Sequence, residues 1–256
     1  MHTSLIALLL ALPLNAMAPM APTVQRKQAT GHPMQYYLSL PKGWRMDRQW
    51  PVVVAAEAAE KEFRVNAERF AAARDALPFI IVVPISVTNG SAGLRDPAIY
   101  PYTPAVWDIV DRDGICKFDL DGLDNVLRDV GTHYSGTGPV YLTGFESGAH
   151  LVWAEVFRHP EKFAAVAPVA GNYRGRCMDD GVISSHPARA SLPIYGLHGQ
   201  LDTLWGPGGG GYAQWQQAVQ LARAHGYGQI TEAAVPGKAH VPVPGTVLEY
   251  FARMHH

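Results

Sequence analysis

Three side chains have types and positions that could do chemistry together. Glu146 is the centre of Gly144-Phe145-Glu146-Ser147-Gly148. Asp202 closes Leu197-His198-Gly199-Gln200-Leu201-Asp202, and His240 closes Pro236-Gly237-Lys238-Ala239-His240. Each follows an apolar run of strand length. A nucleophile position, then an acid, then a histidine is a chain order in which the acid orients the imidazole and the imidazole activates a nucleophile or a water. The glycine-flanked turn is the setting of a G-x-S-x-G motif, which holds its central residue at the apex of a sharp strand-to-helix turn and supplies a following backbone N–H to an oxyanion. Here glutamate occupies the serine position. Phe145, Ser147 and Trp205 are expected to border a bound substrate.

These residues need elements to position them. Met34 to Leu40, Pro51 to Ala55, Phe79 to Pro84, Pro139 to Thr143, Phe163 to Val169, Pro193 to Leu197 and Ile230 to Val235 read as strands. Several are continuous apolar runs, the pattern of a strand buried on both faces. Helical spacing of apolar residues predicts helices over Glu60 to Leu77, Asp119 to Val130, Ser147 to Arg158, Ala213 to His225 and Pro244 to Arg253. Alternating strands and helices imply an α/β fold, a mostly parallel sheet with helices on both faces.

Several stretches resemble one family. YYLSLPKGW...WPVVV is similar to the opening of secreted polyhydroxybutyrate-depolymerase-like and feruloyl or acetylxylan esterase-like α/β-hydrolases. YLTGFESGAHLVWAEVFRHPEKFAAVAPVAG resembles their elbow segment without insertion, and LHGQLD and PGKAH resemble their acid and base segments. The resemblance spans about residues 34 to 253. It implies the α/β-hydrolase fold over residues 27–256, hydrolysis of small or polymeric esters, and acid and base roles for Asp202 and His240.

Two departures bear on function. Glu146 replaces the serine, and AAEAAEKEF stands where such enzymes usually carry the His-Gly turn that gives a second oxyanion N–H. A backbone donor can survive that change, while Glu57 is expected to bring a negative charge near Glu146. Three readings stay open. Glu146 can be a carboxylate nucleophile or base, as in α/β-hydrolases that place aspartate at the elbow, open carbon–halogen or epoxide bonds through an alkyl-enzyme ester and use the histidine to activate water. Tyr100, Tyr102 and Trp107 are loose candidates for leaving-group donors. Ser147 can be the nucleophile if the turn shifts register. Or the chain is an inactive relative that binds a ligand, with Glu146 ion-paired to His240.

The chain has 256 residues, 48% of them hydrophobic, enough for one domain with a large core. A net charge of -1 gives no electrostatic footprint for nucleic acid or an anionic membrane. Leu5 to Leu14 is a short apolar run and Ala16-Met17-Ala18 a small-x-small pattern, so residues 1–18 read as a signal peptide and the protein as exported. Export permits a disulfide between Cys116 and Cys177, and two buried thiols remain the alternative. No Cys/His spacing suggests a metal, and no cofactor is implied. Gly206 to Gly211 lacks a Gly-Lys-Ser/Thr ending and reads as a flexible surface loop; Trp215 beside it is expected in the core.

Overall fold

The computed structural model describes residues 23–89 and 94–255. The expected signal segment lies outside them. Eight strands form one sheet: β1 (Gln25–Gln28), β2 (Gln35–Ser39), β3 (Val52–Ala56), β4 (Ile80–Pro84), β5 (Val140–Phe145), β6 (Ala165–Val169), β7 (Ile194–Gly199) and β8 (Ile230–Val235), in the spatial order β1-β2-β4-β3-β5-β6-β7-β8. β1 and β2 pair antiparallel, and β2 pairs antiparallel with β4. From β4 to β8 every pairing is parallel. Every residue of β3, β4 and β6 is buried, as the apolar runs predict for strands covered on both faces.

Among the described residues six α-helices accompany the sheet: α1 (Phe63–Ala73), α2 (Pro104–Asp113), α3 (Ile115–Tyr134), α4 (Ala149–Arg158), α5 (Tyr212–Ala224) and α6 (Pro244–Met254). α1 is shorter than its apolar spacing suggests. Lys61 and Asp75, at φ 58° and 47°, sit in the left-handed region beside its two ends and stop it there. α2 was not evident in the sequence, because Pro101 and Pro104 mask it. Pro104 is in fact its first residue, where a missing N–H costs nothing. α3 runs well past both ends of the expected segment. The turn expected to open α4 at Ser147 is a short 3-10 helix, Glu146–Gly148, and the α-helix begins only at Ala149.

Cys116, in the first turn of α3, and Cys177, in the segment after β6, form a disulfide with their Cα atoms 5.2 Å apart. It ties the helix layer to that segment. None of the described helices is long and apolar enough to cross a membrane.

Candidate active site

β5 runs between β3 and β6 at the centre of the sheet and delivers Glu146 to its carboxyl edge. The turn is tight enough to dictate its glycines. A Cβ on Gly144 would lie 2.8 Å from the Gly148 backbone, and one on Gly148 would lie 2.5 Å from the Ala56 carbonyl. Glu146 itself holds φ at 48°, a conformation that costs a non-glycine residue of the order of 1–3 kcal/mol.

The Glu146 carboxylate bends back over its own turn. Oε2 accepts hydrogen bonds from the Ser147 N–H at 2.6 Å and the Ala59 N–H at 3.3 Å. Among the described residues Oε1 accepts only the long bond from Asn172 Nδ2, at 3.3 Å. The Asn172 N–H donates to the Glu146 carbonyl, also at 3.3 Å. The two donors come from the residue after the apex and from the loop after β3, the segment in which the sequence lacks a His-Gly turn.

Asp202 and His240 meet. His240 Nδ1 lies 2.8 Å from Asp202 Oδ2, and Asp202 Oδ1 accepts the N–H groups of Leu204 and Trp205, both at 2.9 Å. Burial opposes the charge of Asp202, but the Trp205 N–H and the His240 hydrogen bond outweigh it and hold the carboxyl below its ordinary range. The pairing rests on a close approach of two loops. A Cβ on Gly199 would lie 2.1 Å from the Ala239 carbonyl, and the Leu201 N–H donates to Lys238 at 2.7 Å. The His240 ring is flanked by Phe145, 4.8 Å between centroids, and by Trp205, 6.4 Å and nearly parallel.

Several expectations are corrected by this geometry. Glu146 makes no ion pair with His240, because backbone N–H groups already hold its carboxylate. Ser147 is buried, and its hydroxyl donates to the Asn89 carbonyl at 3.0 Å, so its side chain is not the one presented at the apex. Glu57 Oε1 accepts the Glu62 N–H at the start of α1, at 3.2 Å, and burial pushes its carboxyl up to about 7. The hydroxyls of Tyr100 and Tyr102 donate inward, to Asn89 and to the Ile85 carbonyl, and Trp107 packs against both rings in the core. The glycine-rich loop folds back on Trp205: a Cβ on Gly211 would lie 2.3 Å from that ring.

Sequence reading missed Ala59 and Asn172. Ala59 acts through its backbone, which carries no side-chain signal. Asn172 had one weak signal, a Gly-Asn pair directly after a buried strand. His150, buried one turn into the helix side of the elbow, is pushed down to about 4 by burial and by Arg176, so it is neutral. A hollow of about 180 Å³ lies beside the base, lined by Glu57, Arg69, Phe145, His240 and Pro242 among others. A larger hollow, about 480 Å³, lies between α5 and β8 and contains none of the apex, acid or base residues.

No protein-family profile and no curated protein matches the chain. Solved structures do. A poly(aspartic acid) hydrolase from Sphingomonas sp. superposes with a TM-score of 0.60 at 11% identity, over 91% of this chain and 98% of that one. A ferulic acid esterase from the anaerobic fungus Anaeromyces mucronatus gives 0.56 at 18%, over 91% and 90%. A thermostable esterase gives 0.53 at 15% over 90% of this chain, which spans 60% of the esterase's length. The chain thus has the α/β-hydrolase fold and resembles esterases built on it.

Proposed function

We propose that this chain is a hydrolase whose nucleophile is the Glu146 carboxylate, and that it attacks a saturated carbon carrying a leaving group: an epoxide or carbon–halogen bond. One observation carries the reading, the seat of Glu146 Oε2 between the Ser147 and Ala59 N–H groups. Attack on an ester carbonyl needs those donors free for the substrate's oxyanion, and the glutamate fills them. Displacement at a saturated carbon puts no such charge on the substrate. Oε1, the less restrained oxygen, forms the bond to carbon, and the halide or epoxide oxygen departs with the electron pair of the broken bond. Glu146 is then an ester whose carbonyl oxygen, Oε2, already rests on two N–H donors.

The second step uses the same seat. His240, oriented by Asp202, takes a proton from water, and the water oxygen adds to the Glu146 carboxyl carbon. Negative charge collects on Oε2, where both donors meet it. The bond from the carboxyl carbon to Oε1 breaks, and the departing alkoxide takes the proton back from His240. Glu146 regains its carboxylate with one oxygen from water, and the remaining water proton goes to solvent. From a halide the products are an alcohol, the halide ion and one proton; from an epoxide the ring-opened alkoxide takes up a proton from solvent, which offsets the one released, and the product is a diol.

The inactive, ligand-binding reading has its own support: Oε1 is also hydrogen-bonded, and the hollow beside His240 is small. Wild type, Glu146→Gln and Glu146→Ser assayed on epoxides, haloalkanes and short aryl esters separate the two. The nucleophile reading expects turnover of an epoxide or haloalkane by wild type and about a thousandfold loss in Glu146→Gln. A wild type inert on the whole panel, with Glu146→Ser gaining ester hydrolysis, establishes the binding reading instead.

A further inference from the structure

We infer that Asn172 is a catalytic residue of the second step: its side-chain Nδ2–H stabilises Glu146 Oε1 as that oxygen leaves with the product. The inference rests on the nucleophile reading above. It fills a place which that reading leaves open, the donor to the departing oxygen.

Asn172 follows β6 in the segment Ala170-Gly171-Asn172 and is 6% exposed. It touches Glu146 twice. Its N–H donates to the Glu146 carbonyl and its Nδ2 to Oε1, both at 3.3 Å. Its neighbours are tied to other elements. The Ala170 N–H donates to the Leu197 carbonyl in β7 at 2.8 Å, and the Tyr173 N–H to Gln214 Oε1 in α5 at 3.0 Å. The amide is therefore held against the elbow by the parts of the sheet and helix layer around it.

That placement works against stability. Asn172 Oδ1 is buried and has no hydrogen-bond partner among the described residues. A buried carbonyl left unmet is unfavourable, and an apolar side chain of similar size would remove the penalty. Turning the amide over does not help, because Oδ1 would then face a carboxylate oxygen and the donor would be lost. What the arrangement retains is one N–H on one atom, Oε1. The Ser147 and Ala59 N–H groups do not serve that atom, since both hold Oε2.

The acceptor strength of Oε1 changes through the cycle. At rest it shares the carboxylate charge; one lone pair takes the Asn172 N–H and the other is left for the substrate carbon. In the alkyl-enzyme it is the bridging oxygen of an ester, a poor acceptor, and the bond weakens. When water has added to the carboxyl carbon and the bond to Oε1 breaks, the bonding pair stays on Oε1. Oε1 becomes an alkoxide, and the N–H meets a charged acceptor again until His240 supplies the proton. The donor thus favours the resting carboxylate and the departing alkoxide over the ester between them. Only an interaction that is stronger in a transition state than in the state before it accelerates a step. Asn172 meets that condition for hydrolysis of the ester and not for its formation.

Asn172→Ala and Asn172→Leu test this, with propylene oxide and butyl bromide as probes. Both variants keep the backbone N–H, and thermal melting checks that they are folded. Rapid mixing, acid quench and mass spectrometry follow the Glu146 adduct. The adduct should form within about threefold of the wild-type rate and disappear about a hundredfold more slowly, the usual loss for one oxyanion donor. In the steady state kcat and KM should fall together while kcat/KM holds, the signature of a covalent intermediate that accumulates. A residue that only shapes the site would slow both steps. Equal slowing of formation and hydrolysis, or no change in either, overturns the inference and leaves the nucleophile reading standing. No adduct and no turnover of either probe by wild type overturns that reading, and the role of Asn172 falls with it.

Discussion

Glutamate reaches one methylene further than aspartate, and at this apex the extra length lets the carboxylate fold back onto the N–H of its own successor, 2.6 Å from Oε2. The candidate residues were legible in the sequence: Glu146, Asp202 and His240 each stand out by type and by position after an apolar run, and the structure pairs the last two. What the glutamate does with its charge was not. The inactive-relative reading paired it with His240, whereas two backbone N–H groups hold its Oε2. Ser147 marks the other limit of residue-level reading, since its hydroxyl is committed to Asn89. Ser147→Ala should therefore cost about 1 kcal/mol of stability, the usual worth of one neutral hydrogen bond, and leave kcat within about twofold. Loss of turnover on that substitution, in a protein shown by thermal melting to be folded, would make Ser147 the nucleophile.

At the scale of elements, legibility follows burial. β3, β4 and β6 are apolar throughout and were read as strands. β1 is QRKQ, a polar edge strand whose side chains carry no period, and its pairing with β2 supplies what its sequence does not. The functional geometry lives in close approaches between elements, which a sequence encodes only as glycines. Gly148 is the clearest case, because the elbow must pass within contact of the loop after β3 for Ala59 to reach Glu146. Gly148→Ala forces that loop away from the turn. Overpacking of this kind costs roughly 1–3 kcal/mol. Denaturant unfolding should show that loss, and turnover should fall further than stability, since the Ala59 donor moves with the loop. Unchanged stability and rate would mean that the two segments are looser than their spacing implies.

The whole molecule carries buried charge that its composition does not reveal. Glu155 is fully buried on α4. Its Oε2 lies 3.4 Å from Lys162 Nζ, and its Oε1 has no hydrogen-bond partner. Burial outweighs the lysine and pushes it from 4.5 up to about 7. The unfolded chain releases this proton near 4.5, while the folded chain holds it to about 7. The folded state therefore binds more protons in that window, and Glu155 makes stability fall as pH rises through it. Glu155→Gln removes that dependence. Its melting temperature should gain on wild type as pH goes from about 5 to 8, with most of the gain complete by about 7. A difference that is flat or shrinks with pH would show that the ion pair with Lys162 keeps Glu155 charged throughout.

The central claim is that Glu146 becomes an ester and is then hydrolysed. A single turnover in heavy-oxygen water, with enzyme in excess of an epoxide or haloalkane, tests it directly by peptide mass spectrometry. The account predicts heavy oxygen in the peptide containing Glu146 and ordinary oxygen in the alcohol formed. Heavy oxygen in the alcohol, with none in that peptide, would mean that water attacks the substrate directly and that Glu146 is never its nucleophile.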